Sequence, residues 1–158
     1  MEKKRLAIIR IRGSIGVRKD IKDTLNMLRL YRKNSCVIIE NNPHYVGMIK
    51  KAKDYITWGE ISEEAFKQLL ETRAKLPRNK NLTSDYLKEK TNLTFEQFTK
   101  EFFSFKKELK DIPGIKLFFR LKPPTKGFER KGIKRPFSLG GALGYRKEKI
   151  NDIISRML

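Results

Sequence analysis

The sequence predicts an α+β fold: a small three-stranded sheet with two helices on one face, in the order β-α-β-α-β and ferredoxin-like in character. A helical elaboration and a basic C-terminal loop and helix follow. Three observations predict it. Leu6 to Arg12 alternates, the apolar residues after Gly16 recur at helical spacing, and from Ser62 to Asp111 every apolar stripe is helical. The chain therefore divides into residues 1–61, a compact β-α-β-α-β unit; 62–112, helices docked on it; and 113–158, a strand, a basic Gly/Pro-rich loop and a last helix packed on the first unit.

In the opening strand Ala7, Ile9 and Ile11 occupy one side and Ile8, Arg10 and Arg12 the other, the period of a strand with one dry face. Gly13 and Gly16 break this pattern. Ile21, Leu25 and Leu28 then mark an amphipathic helix of roughly three turns ending near Asn34. Cys36 to Ile39 suits a buried strand. Asn42-Pro43 starts a second helix, Asn as cap and Pro at its first position, with Tyr45, Met48, Ile49 and Ala52 facing the core. Tyr55 to Ile61 closes the unit as the third strand.

Beyond it, Ser62 caps a helix whose stripe is Ala65, Phe66, Leu69 and Leu70, stopped at Leu76-Pro77. Thr83 caps a short helix through Leu87. Thr94 and Gln97 have capping-box spacing at the head of a longer one, in which Phe95, Phe98, Phe102, Phe105 and Leu109 fall on one face. The opposite face is rich in Lys and Glu, so this stripe reads as core rather than as a base-stacking surface. Pro113-Gly114 turns the chain into a fourth strand, Ile115 to Leu121. From about Arg146 a final helix shows Ile150, Ile153, Ile154 and Met157 as its dry stripe.

The formal charge is +19, from 37 basic and 18 acidic residues, and calls for a polyanionic neighbour, either nucleic acid or an anionic membrane surface. No stretch approaches the roughly 18 apolar residues of a membrane span. The start, MEKKRLAIIRIRG, is interrupted by arginines and does not read as a leader peptide. The single cysteine, Cys36, fits a reducing compartment and reads as a small buried hydrophobe. With one Cys and one His, His44, the chain offers no Cys/His zinc set. Gly13-Ser14-Ile15-Gly16 sits where a phosphate loop would, yet lacks both the third glycine of a dinucleotide fingerprint and the Gly-Lys-Ser/Thr of a Walker loop. It reads as a tight strand-to-helix turn that also suits an RNA phosphate. No carboxylate pair occupies a cleft-like position, so no residue is assigned a catalytic role.

Charge concentrates in the segment Lys122 to Lys149, with five glycines, three prolines, and only Glu129 and Glu148 as acids. Extended backbone of this kind can follow a phosphate chain, while Phe128, Phe137 and Tyr145 are placed to stack on bases. Free in solution such a loop is expected to be disordered, and to order on RNA. Cations in the first turn of the last helix oppose its dipole by about 0.3–1 kcal/mol each, which a phosphate at that helix start would offset.

The pieces Ile15-Gly16, Leu25, Leu28, Leu30, Arg32 to Ser35, Pro43, Gly47 to Ile49 and Gly59 to Ile61 together resemble the protein-thirty family of the large ribosomal subunit. The tail, GFERKGIKRPFSLGGALGYRKEKINDIISRML, is similar to the C-terminal end of its longer archaeal and eukaryotic members. The resemblance implies a non-catalytic cytoplasmic protein of the ribosome, without cofactor or small-molecule substrate and independent of membranes. Its partners would be large-subunit rRNA, in the vicinity of the 5S rRNA, and neighbouring ribosomal proteins. The phosphate-binding candidates are Arg10, Arg12, Arg18, Arg29, Arg32, Lys33 and Lys50 in the first unit, and Lys126, Arg130, Lys131, Lys134, Arg135, Arg146 and Lys147 in the tail. The same charge would serve a processing factor, a chaperone or an assembly factor, or, with the Gly13 turn or the Asp/Glu residues converging, an enzyme acting on nucleic acid or a nucleotide.

Overall fold

The computed structural model, which describes residues 3–158, places the first strand at the centre of the sheet. Met1 and Glu2, at the head of the stretch read as no leader, lie outside the described residues. Strand β1, Arg5–Arg10, runs antiparallel to both β2, Ser35–Glu40, and β3, Ile56–Glu60. Two-residue strands extend the sheet at each side: β4, Phe119–Arg120, beside β2, and β5, Gly144–Tyr145, parallel to β3. The order is β4-β2-β1-β3-β5. Of the expected strand Ile115 to Leu121 only Phe119–Arg120 pairs, because Ile115 and Leu121 turn into the core while Lys116 is tied by its N–H to the Lys75 carbonyl, 2.8 Å.

Both faces of β1 are buried, where the sequence suggested one. Helices α1, Lys19–Met27, and α2, Pro43–Lys51, cover the face of Leu6, Ile8, Val37, Ile39 and Ile56, not the Ala7/Ile9/Ile11 face. The latter packs against α3, Glu63–Arg73, α5, Phe95–Phe103, and α6, Ile150–Met157, while α4, Ser84–Thr91, closes the same layer through Leu87. One core thus joins residues from all three sequence segments. At 25 cal/mol per Å2 each large side chain in it contributes about 1.5–3 kcal/mol.

The caps read from sequence are present. Asn42 accepts from the His44 N–H, Ser62 from Ala65, Thr83 from Tyr86, and Thr94 and Gln97 form a reciprocal box. Helix α1 stops at Met27, earlier than expected, because Arg29 turns to φ 59 and Leu30 is drawn inward. Tyr45 faces solvent rather than the core; Ile49 and Ala52 are buried. The phenylalanine stripe is core as far as Phe102, which stacks on Phe66 at 4.3 Å and 6°. There it ends, since the helix stops at Phe103 and the backbone at Phe105 turns to φ 59.

Among the described residues no helix is long and apolar enough to cross a membrane. Burial pushes the Cys36 thiol up to about 12, which leaves it protonated and unreactive at neutral pH.

Gly59 lets the end of the chain lie directly on β3: a Cβ there would sit 2.0 Å from the Lys147 carbonyl oxygen and 3.0 Å from Ile150. Gly59→Ala should therefore destabilise the fold by about 1–3 kcal/mol, as overpacking does. Thermal unfolding of the variant beside the parent measures this.

Candidate nucleic-acid interface

Strand register collects the loops that carry the predicted cations. Arg10, at the end of β1, stands opposite Ile56 at the start of β3, and its carbonyl receives the Asn34 N–H, 2.8 Å, just before β2. The basic loop leaves the sheet at this same end, where the Leu121 N–H reaches the Asn34 carbonyl, 3.0 Å. It returns there too, as Gly144 pairs with Thr57. One end of the sheet therefore holds Arg12, the exposed Arg32 and Lys33, and both roots of the tail loop.

Arg10 itself is 1 % exposed and does not belong among the phosphate ligands. Its guanidinium donates to the carbonyls of Arg12 at 2.9 Å, Gly13 at 3.1 Å, Leu30 at 2.7 Å and Tyr31 at 3.2 Å, and to the Ser14 hydroxyl at 2.9 Å. It binds the Gly13 turn to the α1–β2 connection, and burial lowers its pKa from the ordinary arginine value without a carboxylate nearby to oppose it. Arg12 is half-buried, its guanidinium 4.8 Å over the Tyr55 ring and 3.2 Å from the Asp54 carbonyl. Arg18 is exposed but held by Asp20 at 2.9 Å, so a phosphate there must displace a carboxylate. Arg29 lies apart, in a shallow groove along β2 with Glu40 and Tyr45. Lys50 is exposed in the last turn of α2, where positive charge also suits the helix end.

The tail loop is folded onto the sheet, contrary to the disorder expected of its composition. Lys122 and Thr125 donate to the carbonyls of Met157 and Arg156, at 2.9 and 2.8 Å, and Ala142 and Leu143 to those of Gly132 and Arg135, both at 3.1 Å. The close approach needs Gly141, where a Cβ would lie 2.1 Å from the Arg135 carbonyl oxygen. Lys126, Arg130, Lys131, Lys134 and Arg135 are all exposed on this loop, and none of them has an ion pair among the described residues.

Arg146, like Arg10, is not placed to meet a phosphate. It precedes α6, is 3 % exposed, and turns inward. Both carboxylate oxygens of Glu129 accept from it, one at 2.7 Å, as do the Thr57 hydroxyl at 2.8 Å and the Ala142 carbonyl at 2.9 Å; the Phe137 ring lies 4.7 Å away. What favours a cation here is Glu129, not a phosphate. Burial acts to raise the Glu129 carboxyl, but the hydrogen bond and charge of Arg146, helped by Arg156, outweigh it and hold the group below its ordinary value of 4.5. Of the expected stacking aromatics, Phe128 packs on the core and Phe137 lies beneath Arg146 and Lys149. Tyr145 remains exposed, its hydroxyl donating to Glu60, which pushes it up to about 12. With Lys147 and Phe105 it lines an open cleft of about 900 Å3 beside β5.

Residues 6–56 match the family pattern described as Ribosomal protein L30p/L7e. A Methanococcus maripaludis protein named large ribosomal subunit protein uL30 is 51% identical over 152 residues, covering 96% of this chain and 98% of the relative. Counterparts of the same name from Methanopyrus kandleri and Nanoarchaeum equitans are 48% and 53% identical, over 94% and 96% of this chain and 100% and 97% of theirs. The chain belongs to the uL30 family. The matched pattern ends at the start of β3, whereas the archaeal uL30 relatives extend through the helical layer and the tail. Sequence reasoning missed the cations of that layer nearest β4, Lys75, Lys116 and Arg120, because they are scattered along the chain and join only in space.

Removing the carboxylate from the Arg146 pair tests its role. Glu129→Gln should cost roughly 2–3 kcal/mol, below the 3–5 kcal/mol of a fully buried broken pair because the Glu129 side chain is 20% exposed. The same contribution is complete above pH 4.5, the ordinary value, and is lost as pH falls through the lower value in the fold. Amide exchange across residues 122–145, followed while the pH is lowered, should rise first in this segment.

Proposed function

We propose that this chain is a structural component of the large ribosomal subunit, and not an enzyme, which binds large-subunit rRNA mainly through phosphate contacts. The observation that carries the reading is the tail loop: five exposed cations without carboxylate partners among the described residues, on a backbone closed by its own hydrogen bonds. A loop already folded loses little conformational freedom on binding, so its charge is available for affinity. The second part of the surface is the sheet end with Arg12, Arg32 and Lys33, joined by Arg18, Lys50 and Lys147 at its margins. Arg10 and Arg146 act on RNA only indirectly, by holding the loops that carry the others.

Neighbouring ribosomal proteins, a position near the 5S rRNA and a cytoplasmic place of work are part of the same proposal; the relatives' name, large ribosomal subunit protein, supports the ribosomal setting. Among rival roles, an RNA-processing or assembly factor would use the same charges but leave mature particles.

The test is co-sedimentation with salt-washed archaeal large subunits lacking this protein. Stoichiometric return to the particle at low salt is expected, weakening steeply as salt rises. Replacing Lys126, Arg130, Lys131, Lys134 and Arg135 by Gln should weaken binding to protein-free rRNA and flatten its log–log salt dependence by roughly 3–5, with unfolding unchanged. Unchanged affinity in a folded variant would remove the tail from the interface, and failure to join the particle would favour the assembly-factor role.

A further inference from the structure

Beside β4, on the flank of the sheet away from the basic loop's return, lies a groove of about 230 Å3 whose charge is of one sign. Arg32, Lys75, Lys116 and Arg120 line it together with Tyr31 and Phe118, and among the described residues no carboxylate does. The cations come from three parts of the chain and are set in place by backbone. Arg120 pairs in register with Ser35 of β2. The Lys75 carbonyl accepts the Lys116 N–H at 2.8 Å, while Lys75 also forms a bridge with Asn81. The two lysine amines donate only to neutral side chains, Lys75 to Asn81 and Lys116 to Asn79, 2.5 Å. None of the four cations forms an ion pair among the described residues.

Four like charges held around one groove repel one another, and holding them there costs free energy unless an anion joins them. The groove is smaller than the roughly 300 Å3 at which enclosed small-molecule sites begin, so it suits a group that passes through rather than one that is swallowed. Next to it stands Tyr31, 48% exposed and braced edge-on by Phe118 at 5.5 Å and 82°. An exposed, braced aromatic beside a cationic groove matches one repeat of a nucleic-acid strand: backbone in the groove, base on the ring.

We propose that this groove is a second RNA-binding site, seating one backbone phosphate of an unpaired rRNA segment between Arg32, Lys75, Lys116 and Arg120, with the adjoining base on Tyr31. It rests on the rRNA-binding reading and adds a contact that neither the matched family pattern nor the tail loop supplies, since Lys75, Lys116 and Arg120 lie outside both. The interface then wraps the molecule, tail loop at one margin of the sheet and β4 groove at the other.

The test uses the full chain and protein-free large-subunit rRNA of a methanococcal archaeon. The triple substitution Lys75→Gln, Lys116→Gln and Arg120→Gln should lower affinity about tenfold at moderate salt and flatten the salt dependence by roughly 2–3, with unchanged thermal unfolding. Ultraviolet crosslinking of the parent complex should yield a nucleotide adduct on Tyr31, and Tyr31→Leu should abolish that adduct while sparing tail-loop crosslinks. If the parent binds and the triple variant binds equally well, the groove is not an RNA site although the broader reading stands. A parent that ignores the rRNA overturns that reading and the groove with it. Attachment of Tyr31 to a protein neighbour in reassembled subunits would overturn the RNA assignment as well. Should the triple variant unfold, Tyr31→Leu, at an exposed residue, and single Lys116→Gln, at a half-buried one, decide by the same affinity and crosslink readouts.

Discussion

A guanidinium turned inward is what makes the outward charge of the tail usable. Arg146 sits between the sheet edge and the basic loop, and its donors join β3, through Thr57, to the loop, through Glu129 and Ala142. Burying an ion pair brings little net stability, but breaking one strands a charge away from water. Alternative arrangements of the loop are thereby penalised more than the native one is rewarded. The pair is a device for fixing one conformation. Arg10 and Arg5 apply the same chemistry elsewhere. Arg10 gathers four carbonyls and a hydroxyl at one end of the sheet; Arg5, at the other, donates to the Phe102 carbonyl at 3.0 Å and lies 4.0 and 4.3 Å over the rings of Phe102 and Phe105. Carbonyl clusters at loop ends are unsatisfied acceptors, and a five-donor fork satisfies several at once.

Much of this fold was legible because its local signals agree with its packing. The strand alternation, the Asn42-Pro43 helix start and the Thr94/Gln97 box all describe contacts within a few residues, and all are found. What was not legible depends on distant residues. Nothing in Leu6 to Arg12 says that a second helical layer will cover Ala7 and Ile9, so one dry face was read where there are two. Phe105 lies at the right helical spacing, but Arg5 holds its ring, and the helix ends before it.

The interface divides in the same way. A run of lysines and arginines announces a polyanion, but composition does not say which cation faces it. Arg146 and Lys147 are adjacent, one buried and the other exposed. The hint was Glu129, one of two acids between Lys122 and Lys149 and the one set amid the loop's cations, where a carboxylate can serve an internal partner. The β4 groove left no such trace, since its lysines stand far apart in sequence and each looks like an ordinary solvated charge.

The double covering of β1 also governs how the protein can be made. Strands β1 to β3 are made before the helical layer, with α1 and α2 able to close one face while Ala7, Ile9, Ile11, Cys36 and Ile38 stay bare. Their cover, α3, α5 and finally α6, follows by as much as the rest of the chain. During translation the nascent unit therefore carries a sticky, uncapped sheet until its last eight-residue helix arrives, a window in which a chaperone or the growing polypeptide's own tether must keep it from aggregating.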